Sequence, residues 1–300
     1  MLIIGVTGML GHTLVRELGD TAELDVYGCA RGAVPAQANF PEALARQITP
    51  RVDVSDRSAV RRILSVLRPD VVINCVGVIK QRPEVEDAVN TITVNALFPH
   101  QLARECAESG ARLIQISTDC VFSGRHGGYT EADIPDPYDL YGRSKLLGET
   151  TTGTALTLRT SIIGHELGSA RSLVDWFLSQ RGVVNGYTKA IYSGLTTTEF
   201  ASLLRSVVLP RAELTGLYHV ASTPISKYEL LGIIGDVYRW QGRIEPSDEV
   251  LCDRSLSAAA FRARTGYQPP EWPEMIARMR SAALASGLPV AGRPALQTTP

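Results

Sequence analysis

Short apolar runs alternate with helical periodicity along the first half of the chain. Continuous apolar runs predict buried strands, and apolar residues that recur every three or four positions predict helices. The predicted strands are Leu2–Ile4, Leu24–Ala30, Arg51–Val54, Asp70–Val76, Arg112–Ser117 and Leu156–Thr160. The predicted helices are Leu10–Leu18, Ser58–Leu67, about Val85–Glu108 and Tyr138–Glu149. Parallel strands joined by helices require right-handed crossovers, so the pattern predicts an α/β fold with a Rossmann-type, doubly wound parallel sheet.

The second half has a looser pattern. It predicts one more strand, Leu217–Val220, and the helices Ser172–Gln180, Thr196–Val208, Lys227–Arg239 and Glu271–Leu284. We therefore expect residues 1–164 to form the Rossmann domain. Residues 165–288 are expected to form a smaller C-terminal substrate-binding lobe, parts of which can return to the first domain. Residues 289–300 contain three prolines and little apolar content, so we expect a disordered tail.

Composition narrows the class of protein. The 300 residues are 44% hydrophobic, and 30 basic residues against 31 acidic ones give a net charge of −1, which does not favour a nucleic-acid partner. No apolar run approaches the ~18 residues that a membrane span needs. The five cysteines are scattered without C-x-x-C spacing. We therefore expect reduced thiols, a cytoplasmic protein and no metal site.

A glycine-rich turn follows the first predicted strand. Its spacing is G-x-x-G-x-x-G, and a strand, turn and helix in this order bring the backbone and a helix N-terminus close to a pyrophosphate. The predicted cofactor contacts at this turn are Gly5, Thr7, Gly8, Met9, Leu10 and Gly11. The alternative is a glycine turn that binds nothing, but its position at the start of a βαβ pattern favours the cofactor.

The ends of the next strands bear on which dinucleotide is bound. The second predicted strand ends in Arg31 with no acidic residue, which favours NADPH, with NADH as the alternative cofactor. Arg31 could also be a solvated loop residue. Asp53 and Val54 could flank the adenine. Asn74-Cys-Val-Gly77 ends the fourth strand, where Cys75, Val76 and Gly77 could contact the cofactor, although either segment could be an ordinary strand-to-loop transition.

Tyr141 and Lys145 have the spacing Tyr-x-x-x-Lys, which places both side chains on one helix face. An ammonium near a phenol favours the phenolate, so we expect Lys145 to lower the pKa of Tyr141 and to prepare it to protonate a developing alkoxide. The spacing alone arises by chance on exposed helices. It gains weight from Ser117-Thr118-Asp119 at the end of a preceding strand.

Together these motifs resemble the extended short-chain dehydrogenase/reductase family, in its dTDP-4-dehydrorhamnose reductase-like branch. The resemblance covers residues 1–165 and continues more faintly afterwards. Its motifs are Gly5-x-x-Gly8-x-x-Gly11, Asn74-Cys-Val-Gly77, Ser117-Thr-Asp-Cys-Val-Phe-Ser-Gly124, Tyr141-Gly-Arg-Ser-Lys145 and Leu158-Arg-Thr160. The resemblance implies NADP(H)-dependent reduction of a nucleotide-linked 4-keto-6-deoxysugar, with a homodimer as an analogy only.

The resemblance also implies residue roles. Tyr141 would be the general acid, Lys145 would lower its pKa and hold the nicotinamide ribose, and Thr118 would donate a hydrogen bond to the substrate oxygen. Ser117 would join the cofactor site, and Asn95 would order its helix or a water. The branch usually has tyrosine where this chain has Cys120. We interpret Cys120 as a packing residue, since the sequence identifies no basic partner for it.

Substrate contacts are expected from the second lobe and from loops that follow strands. The candidates are Lys80, Asp119, Arg171, Trp176, Tyr192 and Arg254. Each has a simpler interpretation: surface salt bridges for the cations, core packing for the aromatic residues and a turn cap for Asp119. Arg254 is favoured because a guanidinium suits a nucleotide diphosphate.

Two other functions remain open at the sequence level. One is a nucleotide-sugar epimerase or dehydratase of the same family, although its dehydratases usually carry Thr-Asp-Glu where this chain reads Thr118-Asp119-Cys120. The other is a non-catalytic, NADP(H)-binding regulatory subunit. The complete set of Thr118, Tyr141 and Lys145 makes us prefer the enzyme.

Overall fold

The computed structural model describes residues 1–79 and 86–288. The predicted substrate contact Lys80 and the predicted disordered tail lie outside the described residues. The strands are β1 Leu2–Ile4, β2 Tyr27–Cys29, β3 Ile48–Thr49, β4 Val71–Asn74, β5 Arg112–Thr118, β6 Leu156–Thr160, β7 Ile162–Ile163, β8 Val183–Tyr187, β9 Ala190–Tyr192, β10 Leu195–Thr196, β11 Gly216–His219, β12 Ile225–Ser226, β13 Arg243–Ser247 and β14 Cys252–Asp253.

The helices alternate with the strands in the first half, as predicted. They are α1 Met9–Gly19, α2 Glu42–Arg46, α3 Arg57–Leu67, α4 Ala88–Ile92, α5 Phe98–Ser109, α6 Leu140–Leu147, α7 Leu173–Ser179, α8 Thr197–Leu203, α9 Lys227–Tyr238, α10 Ala259–Thr265 and α11 Trp272–Ala285. No helix within the described residues is both long and apolar enough to cross a membrane.

Seven strands of the described chain form one parallel sheet in the order β11-β6-β5-β4-β1-β2-β3. This is the doubly wound order, with its reversal between β1 and β4, extended at one edge by β11. The predicted fold class is confirmed. Strand β11 comes from the second half of the chain, so residues beyond 164 complete the central sheet.

Alternate residues of the strands face two separate apolar layers. Ile3 and Ile73 pack in the layer that contains helices α1, α8 and α11. Leu2 and Val72 pack in the other layer, with helices α3 and α5. Because both faces of the sheet are covered, strands such as β1 and β4 have apolar residues on both faces, which explains the continuous runs in the sequence.

The predicted third strand was misplaced. Strand β3 is Ile48–Thr49, and the predicted segment Arg51–Val54 is a loop that leads into a turn at Val54 and Ser55. Arg51 has a φ of 60°, in the left-handed region that a strand does not use. The Asp53 carboxylate then accepts hydrogen bonds from Ser55 N at 2.9 Å and Ser55 Oγ at 2.7 Å, which fixes the turn.

The long helix predicted over about Val85–Glu108 is interrupted by one wide turn. Between α4 and α5, the segment Thr93–Leu97 has π-helical hydrogen bonding. Such an insertion shifts the side chains that follow it and occurs often at functional sites. Here it places Asn95 inside the protein, where the side chain is 1% exposed.

The second half contains small sheets that the sequence pattern did not predict. Strand β8 pairs in parallel with β13, β9 lies between β12 and β14, and β10 pairs with β7. Strand β13 has the polar sequence Arg-Ile-Glu-Pro-Ser, and β14 is two residues long. Neither has an apolar alternation that could be recognised before its partner is known.

Candidate active site

The glycine-rich turn has the geometry that its spacing predicted. Gly5 has a φ of 92°, which favours glycine. A Cβ atom on Gly11 would lie 2.2 Å from the Gly5 carbonyl oxygen, so only glycine lets helix α1 approach the turn. Gly8 begins this helix without a capping side chain of its own. The amides of the first turn therefore face the end of strand β1, where an anion would be stabilised.

One cleft of about 720 Å³ lies at the carboxyl ends of the central strands. It has the size of a small-molecule site. The sequence-predicted residues that line it are Gly5, Thr7, Gly8, Met9, Leu10, Arg31, Asp53, Val54, Cys75, Val76, Gly77, Ser117, Thr118, Asp119, Tyr141, Lys145, Arg171, Tyr192 and Arg254. The fold thus brings the predicted cofactor, catalytic and substrate residues to one cavity.

Three predicted residues are placed elsewhere or act indirectly. Gly11 supports the glycine turn from behind and does not line the cleft. Trp176 lies on α7, outside the cleft, and is 40% exposed. Asn95 does not line the cleft either. Its side chain accepts from Val78 N at 2.8 Å, donates to Val78 O at 2.9 Å and donates to Ser144 Oγ at 3.1 Å.

Asn95 therefore joins the loop after β4 to the helix that carries the catalytic pair. Because its amide satisfies both backbone groups of Val78, the loop at Cys75–Gly77 is held beside the cleft. The same amide reaches Ser144, which precedes Lys145 on α6. The expectation that Asn95 orders its surroundings thus has a structural basis, whereas direct contact with the cleft does not.

Thr118 ends strand β5, Asp119 follows it, and both are buried. The Thr118 hydroxyl donates to the Asp119 carboxylate at 3.1 Å and accepts from Cys120 N at 3.1 Å. Thr118 is therefore the cap of the short 3-10 turn Asp119–Val121. This fixes the Thr118 hydroxyl at the wall of the cleft, beside Tyr141.

Lys145 is 7% exposed and lies on α6 one turn after Tyr141. Its Nζ donates to the Ile116 carbonyl at 2.7 Å. Burial lowers the pKa of Lys145 to about 8, although the negative charge of Glu149 works in the opposite direction. The ammonium is therefore held at the end of strand β5 with a pKa near neutrality.

The expected lowering of the Tyr141 pKa is not found. Burial raises the pKa of Tyr141 well above its ordinary value, the nearby Cys120 adds to this, and a hydrogen bond with Thr118 opposes it only in part. The sequence-based expectation counted the nearby ammonium and left out the loss of solvent around the phenol. Tyr141 is thus neutral at physiological pH, and its hydroxyl carries a proton.

The interpretation of Cys120 as a residue without a basic partner is also wrong. Arg254 Nη1 lies 3.7 Å from Cys120 Sγ, and Arg254 Nε donates to the Phe122 carbonyl at 2.9 Å. The guanidinium also stacks on the Tyr138 ring, at 5.3 Å from its centroid. Arg254 is 9% exposed and lines the cleft, so a cation of the second lobe faces the catalytic residues.

Sequence reasoning missed several residues of the substrate side of the cleft. These residues are Tyr138, Glu166, Tyr187, Lys227, Val250 and Cys252. Lys227 opens helix α9, and Tyr187 ends strand β8. The apolar run of α9 could have located Lys227 at a helix start, but Tyr187 depends on a strand that had no recognisable pattern.

The loop that follows β7 forms part of the cleft wall. His165 is buried, and it contacts the Asp175 carboxylate at 2.5 Å and the Tyr238 hydroxyl at 2.8 Å. The His165 carbonyl lies 2.8 Å from His12 Nε2 on helix α1. The loop that contributes Glu166 and Arg171 is thus anchored to the glycine-rich helix, and His165 has a structural role.

Comparison with known proteins extends these observations. Residues 1–283 match the family described as the RmlD substrate binding domain. The beta subunit of methionine adenosyltransferase 2 from Danio rerio is 29% identical over 253 residues, covering 79% of this chain and 73% of that protein. The rat protein of the same name is 36% identical over 153 residues, which span 50% of this chain and 41% of the relative.

A third relative is a Haloferax volcanii protein named as a probable low-salt glycan biosynthesis reductase, which is 31% identical over 236 residues. The match covers 73% of each chain. Among solved structures, a hypothetical dTDP-4-dehydrorhamnose reductase from Sulfolobus tokodaii is 26% identical with a TM-score of 0.73, over 90% of this chain and 97% of that one.

The dTDP-4-dehydrorhamnose reductase from Bacillus anthracis, solved in complex with NADP, shares the fold. Its TM-score is 0.75 at 23% identity, over 93% of this chain and 98% of that one. The resemblance inferred from the motifs is confirmed by the match over residues 1–283. The chain belongs to the RmlD substrate binding domain family, in the dTDP-4-dehydrorhamnose reductase-like branch of the extended short-chain dehydrogenases/reductases.

Proposed function

We propose that this protein is an NADPH-dependent reductase of a nucleotide-linked 4-keto-6-deoxysugar. The observation that carries the proposal is one cleft lined by both Gly5 and Gly8 of the glycine turn and by Thr118, Tyr141 and Lys145. The turn fits a dinucleotide because the positions of Gly5 and Gly11 leave no room for a side chain. NADP in the Bacillus anthracis relative supports the same cofactor.

Tyr141 is the proton donor of the proposed reaction. When bound, NADPH supplies the hydride that adds to the carbonyl carbon. The raised pKa of Tyr141 keeps its hydroxyl protonated, which is the form that a general acid needs in the direction of reduction. The Thr118 hydroxyl lies at the same wall, and rotation of its single proton away from the Asp119 carboxylate lets it donate a second hydrogen bond to the carbonyl oxygen as negative charge develops there.

The cations of the cleft suit the remainder of the substrate. Arg171, Lys227 and Arg254 line the same cavity and come from three separate segments of the second half. Two phosphates of a nucleotide sugar require such charges, and Arg254 is already positioned by its bond to Phe122. These contacts would orient the keto-sugar toward Tyr141.

Replacement of the proposed acid gives the direct test. In Tyr141→Phe, we expect kcat for NADPH oxidation with a nucleotide keto-sugar to fall by about 10²- to 10⁴-fold, because the proton donor is lost. The dissociation constant for NADPH should change little, because the ring is kept. Loss of NADPH absorbance measures the first quantity, and fluorescence titration measures the second.

The matched control is Tyr228→Phe. Tyr228 lies on helix α9 and does not line the cleft, so this variant loses a hydroxyl outside the site. It should retain the activity of the unmodified protein. Activity that survives in Tyr141→Phe at the level of this control would reject Tyr141 as the acid.

A second candidate function has its own support. Similarity over 79% of the chain to a methionine adenosyltransferase subunit favours an NADP(H)-binding subunit of another enzyme. Saturable NADPH binding with no turnover across a panel of dTDP-, UDP- and GDP-linked keto-sugars would select this candidate. NADPH oxidation that depends on one member of the panel would select the reductase.

A further inference from the structure

A buried network of charges lies directly behind the catalytic pair. Glu149 follows helix α6, four positions after Lys145, and its side chain is 8% exposed. Its carboxylate accepts from Arg159 Nε and Arg159 Nη2, each at 2.8 Å, in a bidentate ion pair. It also accepts from the Ser117 hydroxyl at 2.6 Å. Neither Glu149 nor Arg159 lines the cleft.

The network continues from Arg159 to His219 on the edge strand β11. Arg159 Nη1 lies 3.2 Å from His219 Nε2. Because a guanidinium only donates, Nε2 must accept, and the ring proton lies on Nδ1, from which it is donated to the Tyr129 carbonyl at 3.0 Å. His219 is therefore neutral here, and burial lowers its pKa in agreement. The Arg159 guanidinium also stacks over the Phe122 ring, at 5.3 Å from its centroid.

We propose that Glu149 is a positioning residue for the catalytic pair: its carboxylate ties the end of helix α6 to strand β5 and faces the Lys145 ammonium with negative charge. Its partner Ser117 directly follows Ile116, whose carbonyl accepts from Lys145. One carboxylate thus holds both the strand that binds the ammonium and the helix that carries it.

The electrostatics agree with this geometry. The charged group that favours the protonated form of Lys145 most is Glu149, and it opposes the burial that brings the Lys145 pKa down to about 8. The other titratable group that acts on Lys145 is Cys75, whose pKa burial raises to about 12. Burial also raises the pKa of Tyr141, one turn away on the same helix, so both groups are neutral at physiological pH.

Arg159 pairs with Glu149 through both carboxylate oxygens. A buried carboxylate needs a counter-charge, and the bidentate guanidinium supplies it. Arg159 in turn is held by the ring of Phe122 and by neutral His219. The order of charges from the cleft inward is therefore Lys145, Glu149, Arg159, in alternating sign.

The experiment measures the ionisation of Lys145 directly. The chain has four lysines, at positions 80, 145, 189 and 227, so the ε-carbon resonances of protein labelled with ¹³C-lysine are few. The resonance of Lys145 is assigned by its absence in Lys145→Arg. In Glu149→Gln, which keeps the shape and loses the charge, we expect the titration midpoint of Lys145 to fall by about one pH unit or more.

A matched control is available between helices α3 and α5. Glu105 is 4% exposed and accepts from Arg57 Nε at 2.7 Å and Arg61 Nε at 2.9 Å. None of these three residues lines the cleft. Glu105→Gln should lower the free energy of unfolding and leave the Lys145 midpoint unchanged. This control separates the general effect of losing a buried carboxylate from the specific effect of losing Glu149.

A second variant guards against a failure of Glu149→Gln to fold. In Glu149→Gln/Arg159→Met, both members of the ion pair are replaced together, so Arg159 is not left unpaired by the loss of Glu149, and joint replacement of a buried ion pair is often tolerated. The Lys145 midpoint should fall in this variant too. A Lys145 midpoint equal to that of the unmodified protein in either folded variant would overturn the proposal.

The role of Glu149 in catalysis rests on the proposed function of Tyr141 and Lys145, but the titration does not use turnover. If the Lys145 midpoint shifts but the protein does not oxidise NADPH with any keto-sugar tested, the proposed function is rejected and the link from Glu149 to Lys145 is kept. If the Lys145 midpoint does not shift but the protein oxidises NADPH with a keto-sugar, the proposed function is kept and the link from Glu149 to Lys145 is rejected.

Discussion

Arg31 is the second residue after strand β2 and lies on the wall of the cleft, where its charge acts on nearby Asp53. No acidic side chain ends this strand, so the position suits a 2′-phosphate. In Arg31→Ala, we expect the ratio of kcat/KM for NADPH to that for NADH to fall by at least about tenfold, the effect of losing one charge-assisted hydrogen bond. Steady-state assays with both cofactors measure the ratio.

Arg62→Ala is the control for that change, because Arg62 is an exposed arginine of helix α3 that does not line the cleft. In Arg62→Ala, the ratio of kcat/KM for NADPH to that for NADH should equal the ratio of the unmodified protein. A marked preference for NADH before any substitution would contradict the assignment of Arg31.

The sequence predicted which residues form the catalytic pair, but it did not predict the surroundings of these residues in the fold. Tyr141 and Lys145 follow from their spacing, and their shared helix follows from the same spacing. The pKa of Tyr141 did not follow, because it depends on how deeply the fold buries the phenol. Arg254 as the neighbour of Cys120 was equally hidden, since 134 positions separate the two residues.

At the scale of elements, the close approach of α1 to the turn after β1 leaves no room for a side chain at Gly11. In Gly11→Ala, the new Cβ would lie 2.2 Å from the Gly5 oxygen and 3.0 Å from Val6 Cα, both backbone atoms that cannot move independently. We expect a loss of about 1–3 kcal/mol of unfolding free energy and at least tenfold weaker NADPH binding. Urea denaturation and fluorescence titration measure these two quantities.

Gly232 offers the matched substitution. It lies within helix α9, and a Cβ there would meet no atom within 4 Å. Gly232→Ala should leave NADPH binding unchanged and stabilise the protein by up to about 1 kcal/mol, because alanine favours a helix. Equal NADPH affinities in the two glycine variants would contradict the role of Gly11.

Elements with local signals were predicted, and elements that need a distant partner were not. Helix α1, strand β4 and strand β6 have apolar patterns and turn residues of their own. Strand β13 contains Pro246 and charged residues, and it exists because β8 pairs with it from 60 positions earlier, as in the register Arg243↔Val183. The turn at Arg51 was missed because nothing in the sequence shows its left-handed φ.

At the scale of the whole molecule, His12 connects the glycine-rich helix to the loop that carries Glu166 and Arg171. Arg16 Nη1 lies 3.0 Å from His12 Nδ1, and His12 Nε2 lies 2.8 Å from the His165 carbonyl, so the neutral ring satisfies both contacts. Burial lowers the pKa of His12 to about 4. The unfolded chain takes up a proton below pH ~6.5, while the folded chain does not.

This difference predicts an acid-sensitive fold. As the pH falls from about 6.5 to about 4, protonation of His12 in the unfolded chain should lower the free energy of unfolding by about 3 kcal/mol. Below the pKa of His12 in the folded protein, this residue causes no further loss. Urea denaturation at pH 7 and at pH 4 measures the fall in the free energy of unfolding between these two values. In His12→Gln, this fall should be smaller by the contribution of His12. His126→Gln, at an exposed histidine, should behave like the unmodified protein. An equal acid loss in both variants would contradict the assignment.

Strand β11 adds a consequence for how the protein is made. The outer side of β6 pairs with residues 216–219, which the ribosome produces more than fifty residues after β6 itself. Until those residues emerge, β6 presents unpaired backbone groups to any neighbouring nascent chain. The central sheet of the amino-terminal half therefore cannot be completed during translation until residues 216–219, from the half of the chain that forms the substrate side, have emerged from the ribosome.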